Sequence, residues 1–157
     1  MYFYTISKID KNILYKLVDI YANAMDHLDV RKWSIKDFVE LINTKSIIYY
    51  IKEDKSIMGF AIVKKIIYEA EIINISIEPA YHRNGFAKNL IKYILQSKEM
   101  KGVKRFVLEV SSENYKAKNL YENLGFKIVG YRKNYYNVKT NKYNTTKSDA
   151  EIMEYKI

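Results

Sequence analysis

The chain has 157 residues, 48% of them hydrophobic, which is the size of one domain and enough apolar material for a core without staples, so a single domain over residues 1–157 is expected. There is no cysteine and there are two histidines, His27 and His82, which excludes disulfides, thiolate metal sites and cysteine nucleophiles and leaves no basis for expecting a metal. The net charge of +9 lies wholly after Glu78, since residues 1–78 carry 11 basic and 11 acidic residues and the remainder 16 and 7; such a basic half suits a polyanionic cofactor, an acidic surface or nucleic acid, or simply keeps the protein in solution.

Tyr2–Ser7 reads as a first strand. Asp10 or Asn12 can cap a helix carrying Ile13, Leu17, Tyr21 and Ala24, with Leu14 and Val18 beside them. Ser34-Ile35-Lys36-Asp37 has the form of a capping box and opens a short helix with Phe38, Leu41 and Ile42. Ser46–Ile51 and Ile57–Ile67 read as strands around the turn Glu53-Asp54-Lys55-Ser56, and Ala70–Glu78 as the next strand. Phe86–Met100 has helical spacing in Phe86, Ala87, Leu90, Ile91, Ile94 and Leu95. Lys104–Val110 alternates Phe106, Leu108 and Val110 as a strand does. Asn114–Leu124 places Ala117, Leu120, Tyr121 and Leu124 on one helical face, with Gly125 as its stop. Phe126–Tyr136 and Asp149–Ile157 are expected to be closing strands, separated by a polar loop over Asn137–Ser148. This order predicts an α/β (α+β) domain whose mixed central sheet is flanked by helices on both faces.

The connection from Pro79 to Lys88 carries the chemistry. A strand runs into a proline, a short basic turn with Gly85 follows, and a helix begins at Phe86. That layout gathers free backbone N–H groups and a helix N-terminus at one place, which favours phosphate. It is neither a Walker loop, lacking Gly-Lys-Ser/Thr, nor the three-glycine dinucleotide fingerprint. The plain alternative is an ordinary strand–helix connection, with His82 a surface turn residue.

His82-Arg83-Asn84-Gly85-Phe86-Ala87 resembles the pyrophosphate loop of the GNAT superfamily of N-acetyltransferases, written Gln/Arg-x-x-Gly-x-Gly/Ala. Leu108-Glu109-Val110, then Asn114, then Leu120-Tyr121-Glu122-Asn123-Leu124-Gly125-Phe126 are similar to that family's acidic strand end, Asn-containing turn and LYExxGF helix end. Tyr131-Arg132-Lys133-Asn134-Tyr135-Tyr136 and Asp149-Ala150-Glu151-Ile152-Met153 are similar to the RimI-type subgroup, which acetylates the N-terminal alanine of a small-subunit ribosomal protein. Trp33-Ser34 with Phe38 resembles that subgroup's PWS segment. The chain departs from the pattern at His82, at Ser111 where Arg is usual, and at Lys32 where proline stands.

The resemblance implies the GNAT fold and direct acetyl transfer from acetyl-CoA to a protein N-terminal α-amine, such as that of a ribosomal protein, in a ternary complex. It implies Glu109 as general base and Tyr121 as the acid that protonates the leaving thiolate. It implies that Arg83, Asn84, Gly85, Phe86, Ala87 and Lys88 bind the pyrophosphate, that Ile75, Ser76 and Ile77 offer backbone groups to the pantetheine arm, and that Asn114 hydrogen-bonds the cofactor. Taken alone, each residue has a plainer reading: Glu109 a solvated strand end, Tyr121 a core aromatic, Asn114 a helix cap, Ile75–Ile77 buried sheet.

Two other functions fit the chain at this stage. One is the same chemistry on a polyamine, an antibiotic amine or a lysine side chain. The other is a nucleic-acid-binding module using the basic half and its tyrosines, although no nucleic-acid motif is present and none is expected as a partner. No apolar run is long enough for a membrane span and no signal peptide is visible at Met1–Asp10, so the expected location is the cytoplasm.

Overall fold

The computed structural model describes residues 1–6, 10–141 and 144–157. Ser7, at the end of the expected first strand, and Lys142 and Tyr143, in the expected polar loop, lie outside the described residues. The elements are β1 (Tyr2–Ile6), α1 (Lys11–Ala24), α2 (Ile35–Asn43), β2 (Ser46–Glu53), β3 (Ser56–Ile66), β4 (Glu69–Ile77), α3 (Phe86–Gln96), β5 (Arg105–Ser111), α4 (Tyr115–Asn123), β6 (Lys127–Lys139) and β7 (Thr145–Lys156). They build a seven-stranded sheet in the order β1-β2-β3-β4-β5-β7-β6. Every pairing is antiparallel except β4 with β5.

The period-2 geometry of a strand sorts the apolar residues onto two faces. Ile48 and Tyr50 of β2 and Phe60 and Ile62 of β3 join Leu14, Leu17, Ile20 and Tyr21 of α1 and Phe38 of α2. Their neighbours Tyr49, Ile51, Ala61 and Val63 turn the other way, against Leu90, Ile91 and Ile94 of α3 and the apolar side of α4. Both faces are covered, which is why β2 and β3 read as nearly continuous apolar runs. Asp10 caps α1 by accepting from the N–H groups of Asn12 (2.9 Å) and Ile13 (3.3 Å). Asp37 secures the start of α2, accepting from the Ser34 N–H at 2.6 Å and pairing with Arg31 at 2.7 Å.

The expected elements recur with shifted ends. Helix α3 stops at Gln96 and not Met100, because Ser97 is extended and Lys98–Met100 forms a separate 3-10 turn that drops Met100 into the core at 3% exposure. The expected loop over Asn137–Ser148 is largely sheet. β6 and β7 continue as a hairpin, pairing Tyr136 with Ser148, Asn137 with Lys147, Val138 with Thr146 and Lys139 with Thr145. These polar residues read as loop because the hairpin stands clear of both cores, so its strands need no alternating apolar face. Its outer edge is held by the segment between α1 and α2: Leu28 bridges to Val138, the Asp29 N–H donates to the Asn137 carbonyl at 2.9 Å, and the Lys139 N–H to that of His27 at 3.1 Å.

Two irregularities position the site. In β4, Val63 opposes Ile72 and Ile62 opposes Asn74, so Ile73 is an extra residue. Such a bulge bends a strand and increases its twist. It also moves the side-chain alternation by one: Ala70 and Ile72 before it, and Ile75 and Ile77 after it, face the same α3-side cluster, whereas Ile73 faces the α1 side. The parallel pairing with β5 covers only Glu69–Ile72 against Arg105–Leu108, and beyond it the strands are unpaired with each other. In β6, Arg132 opposes Ala150 and Tyr136 opposes Ser148, which leaves residues 133–135 facing Asp149 alone. This wider bulge holds Asn134 at φ +54°, with its N–H donating to Asp149 Oδ1 at 2.8 Å. Asn tolerates that left-handed conformation better than most residues.

Gly59 lies opposite Ile77, where β3 supports the free end of β4. A Cβ there would collide with the Ile77 Cδ1 and stand 2.7 Å from the Ser76 carbonyl oxygen, which as backbone cannot swing aside. Gly59→Ala is therefore expected to destabilise the protein by about 1–3 kcal/mol, the usual range for overpacking, read as a lower midpoint in urea at unchanged slope.

Candidate active site

The residues from Pro79 to Lys88 form a tight, strained connection. Pro79–Tyr81 is a single 3-10 turn, Arg83 and Gly85 both have positive φ (+63° and +76°), and Gly85 is the N-cap of α3. A Cβ at Gly85 would meet nothing within 4 Å, so glycine is needed there for its backbone conformation and not for space inside the protein. The first backbone bond into α3 runs from the Asn89 N–H to the Gly85 carbonyl at 3.0 Å. Among the described residues, no backbone carbonyl accepts from the N–H groups of Arg83 through Lys88. Six unused donors at a helix N-terminus favour an anion with several acceptor oxygens. His82 fixes this segment to the strand it leaves, its Nε2 donating to the Ile77 carbonyl at 2.9 Å.

Beside the loop, in the gap between β4 and β5, lies a cavity of about 950 Å³. Its walls are Ile75 and Ile77 of β4; Arg83, Gly85, Phe86, Ala87 and Lys88 of the loop; Ser111 at the end of β5; and Asn114, Tyr115, Ala117, Leu120 and Tyr121 of α4. Ala24, Met25, His27 and Val138 close the side nearest the β6–β7 hairpin. The donors at one end and the apolar walls along the rest fit a ligand with a charged diphosphate and a less polar arm.

The structure divides the expected site residues into two groups. Ile75, Ile77, Arg83, Gly85, Phe86, Ala87, Lys88, Asn114 and Tyr121 line the cavity. Ser76 is 1% exposed and donates its hydroxyl to Asn74 Oδ1 at 2.8 Å, while the Asn84 amide folds back onto the His82 carbonyl at 3.2 Å, so neither side chain is part of the wall. Asn114 caps α4, its Oδ1 accepting from the Ala117 N–H at 3.2 Å. That plainer role leaves its amide NH₂ free to donate.

Glu109 is outside the wall. It is the first β5 residue past the last position paired with β4, at the apex of the split, and its side chain lies with Arg132 and Tyr136. The Arg132 Nη2 is 2.9 Å from Glu109 Oε1. Tyr136 interacts electrostatically with both expected catalytic groups: its phenol is pushed up to about 12, first by burial and then by the Glu109 charge. Burial first, and then Tyr136, hold the Tyr121 phenol well above its ordinary value. Arg132 and Tyr136 fell within the motif Tyr131–Tyr136 but carried no role in the sequence reading. Arg132 lies just before the β6 bulge, and only Tyr136, beyond it, owes its position to that bulge, whose local hints were Asn134 and the later Asp149.

Trp33 stacks on Tyr21 at 4.6 Å and meets Phe38 edge-on at 5.9 Å, which makes it part of the α1–α2 core. At Ser111, where the family pattern has Arg, the hydroxyl is 2.7 Å from that of Ser148. A partly buried ion pair close by is Lys118 with Glu151 at 2.7 Å, joining α4 to β7. Among the described residues, no cluster of three or more His, Asp or Glu could hold a metal, and no helix is long and apolar enough to cross a membrane.

The family model described as acetyltransferase (GNAT) family matches residues 14–126. The ribosomal protein bS18–alanine N-acetyltransferase of Escherichia coli strain K12 is 33% identical over 104 residues, 66% of this chain and 70% of that protein. The enzyme of the same name from Haemophilus influenzae is 48% identical over 85 residues, 54% of this chain and 57% of that protein. The crystal structure of the Escherichia coli ribosomal-protein-S18-alanine N-acetyltransferase superimposes with a TM-score of 0.81 at 27% identity, covering 99% of this chain and 94% of that one.

The raised phenols give a test of this geometry. A buried tyrosine whose folded-state value lies above the unfolded 10.0 holds its proton more tightly in the folded state. Its share of stability is complete below about pH 10 and lost as pH climbs towards 12. Unfolding free energy is expected to fall across that window, and Tyr136→Phe should flatten the fall; an unchanged slope would mean that the phenol is solvated.

Proposed function

Since the chain belongs to the acetyltransferase (GNAT) family, we propose that it transfers an acetyl group from acetyl-CoA to the N-terminal α-amine of a protein, directly and within a ternary complex. The observation that carries this reading is the run of six unaccepted N–H groups, Arg83 to Lys88, beside a cavity between β4 and β5. Those donors suit the diphosphate of coenzyme A, and the apolar wall from Ile75 and Ile77 to Leu120 suits its pantetheine arm. The relatives named for alanine on ribosomal protein bS18 support an alanine-first ribosomal protein as acceptor.

In this mechanism Glu109 takes a proton, directly or through a water, from the acceptor nitrogen as that nitrogen attacks. A C–N bond forms at the thioester carbonyl carbon, and the C–S bond breaks. Tyr121 gives its phenolic proton to the departing sulfur, and the proton held on Glu109 returns to the phenolate through water, which restores both groups. Burial serves this role, because a phenol held above its ordinary value stays protonated until a thiolate develops beside it. Asn114, Lys88 and Arg83 orient the donor end of the ligand, and no cysteine is present to form an acyl enzyme.

Calorimetry with acetyl-CoA tests the cofactor, and mass spectrometry of an alanine-first peptide tests the acceptor. Glu109→Gln is expected to lower kcat by about 10²-fold or more, the usual contribution of a positioned base, while acetyl-CoA affinity is kept. Equal loss of binding and turnover would reject Glu109 as the base. Tyr121→Phe should reduce kcat more than affinity. Preferential acetylation of a polyamine or a lysine side chain would move the acceptor to those amines.

A further inference from the structure

The ion pair between Arg132 and Glu109 is built by the sheet. Arg132 is the last residue of β6 in regular register before the bulge, and Tyr136 is the first after it. The bulge is pinned by the Asn134 N–H on Asp149. Tyr135, carried on it, lays its ring 5.4 Å from the Arg132 guanidinium carbon. Arg132 is thus held between an aromatic face and a carboxylate, and its charge, together with that of Glu109, acts on Tyr136. A half-exposed pair of this kind adds little to stability, so stability alone does not account for it.

The chemistry at Glu109 supplies a reason. A bare carboxylate beside an incoming ammonium favours the charged amine, and the charged amine cannot attack. A guanidinium keeps its charge at any working pH and offsets that attraction. We propose that Arg132 is a positioning residue, which aims the Glu109 carboxylate and brings the charge of the acceptor pocket close to zero, so that the acceptor amine binds in its neutral, nucleophilic form. This rests on Glu109 being the base, as proposed above. It suits an α-amine, with an ordinary value of ~7.7–8.0, far better than a lysine at ~10.4, because a useful fraction of the former is neutral near pH 7.

The test is a split between KM and kcat. With an alanine-first peptide and saturating acetyl-CoA, the wild type should show a KM that falls about tenfold per unit from pH 6 to 7.5, following the neutral amine, while kcat stays flat. In Arg132→Gln the pocket binds the ammonium, so KM becomes flat and kcat takes over the rise with pH. Arg132→Lys should restore the wild-type split, which loss of packing alone would not predict. The groups around the pair are Tyr135 and Tyr136 on β6, with Asp149 of β7 at the bulge and Tyr121 of α4 acting on Tyr136; the adjoining cavity is lined by the fixed charges of Arg83, Lys88, Glu113 and Lys116 and by His27 and His82. Histidine is the side-chain type that changes charge over this pH range, so His27→Asn and His82→Gln are measured alongside, and transfer of the pH dependence in either would overturn the proposal. A wild-type kcat that rises with pH would overturn it without any variant. If no peptide is acetylated, the functional reading itself fails. If Glu109→Gln abolishes acetylation but the split is absent, only the role of Arg132 fails.

Discussion

The parallel pairing of β4 with β5 stops at Ile72 and Leu108, and the cavity opens further along the split, where Ile75 and Ser111 line it. Strands that stay paired lie only ~4.7–4.9 Å apart and leave no room for a ligand between them. The separation originates on the other side of β4, where one extra residue against β3 bends the strand away. Gly59 then lets β3 follow the bent end closely enough to keep its ladder to Ile77. The His82 imidazole ties the loop to that same residue. Strand, loop and helix N-terminus are therefore one mechanical unit.

The sequence disclosed the parts of the fold that depend on near neighbours. Helix faces, caps and the strained connection at Gly85 depend on residues within a turn or two of one another, and these were legible. The split was less so, because it depends on which strand pairs with which and for how long. A trace of it is present in Ile72-Ile73, where the apolar alternation slips by one. The site was legible only in part for the same reason. Tyr121 could be placed on an apolar helix face, but nothing near Glu109 in sequence announces Arg132 or Tyr136, which reach it across β7. The hairpin beyond Tyr136 was hidden by its polarity, since a strand outside the core carries no hydrophobic signature.

Two of the departures from the family pattern, His82 and Ser111, have local accommodations. His82 supplies a donor to a carbonyl that would otherwise be free at the strand end. Ser111 and Ser148 satisfy each other by a short hydroxyl contact, and Lys118 with Glu151 provides the charged tie between α4 and β7 close by. Glu151 is the buried partner of this pair, so removing Lys118 would strand its charge. The tie therefore constrains where α4, and Tyr121 on it, can sit.

β6 is one of the two edge strands of the sheet, and an edge strand with free main-chain groups is a template for foreign chains. Along its protruding half that template is already taken, because Leu28 and its neighbours occupy the hydrogen-bonding positions of Asn137–Lys139. The segment that walls one side of the cavity thus also blocks strand addition there, so a guest polypeptide reaching this region has to be recognised by its end and its side chains and cannot be incorporated as an eighth strand at that stretch.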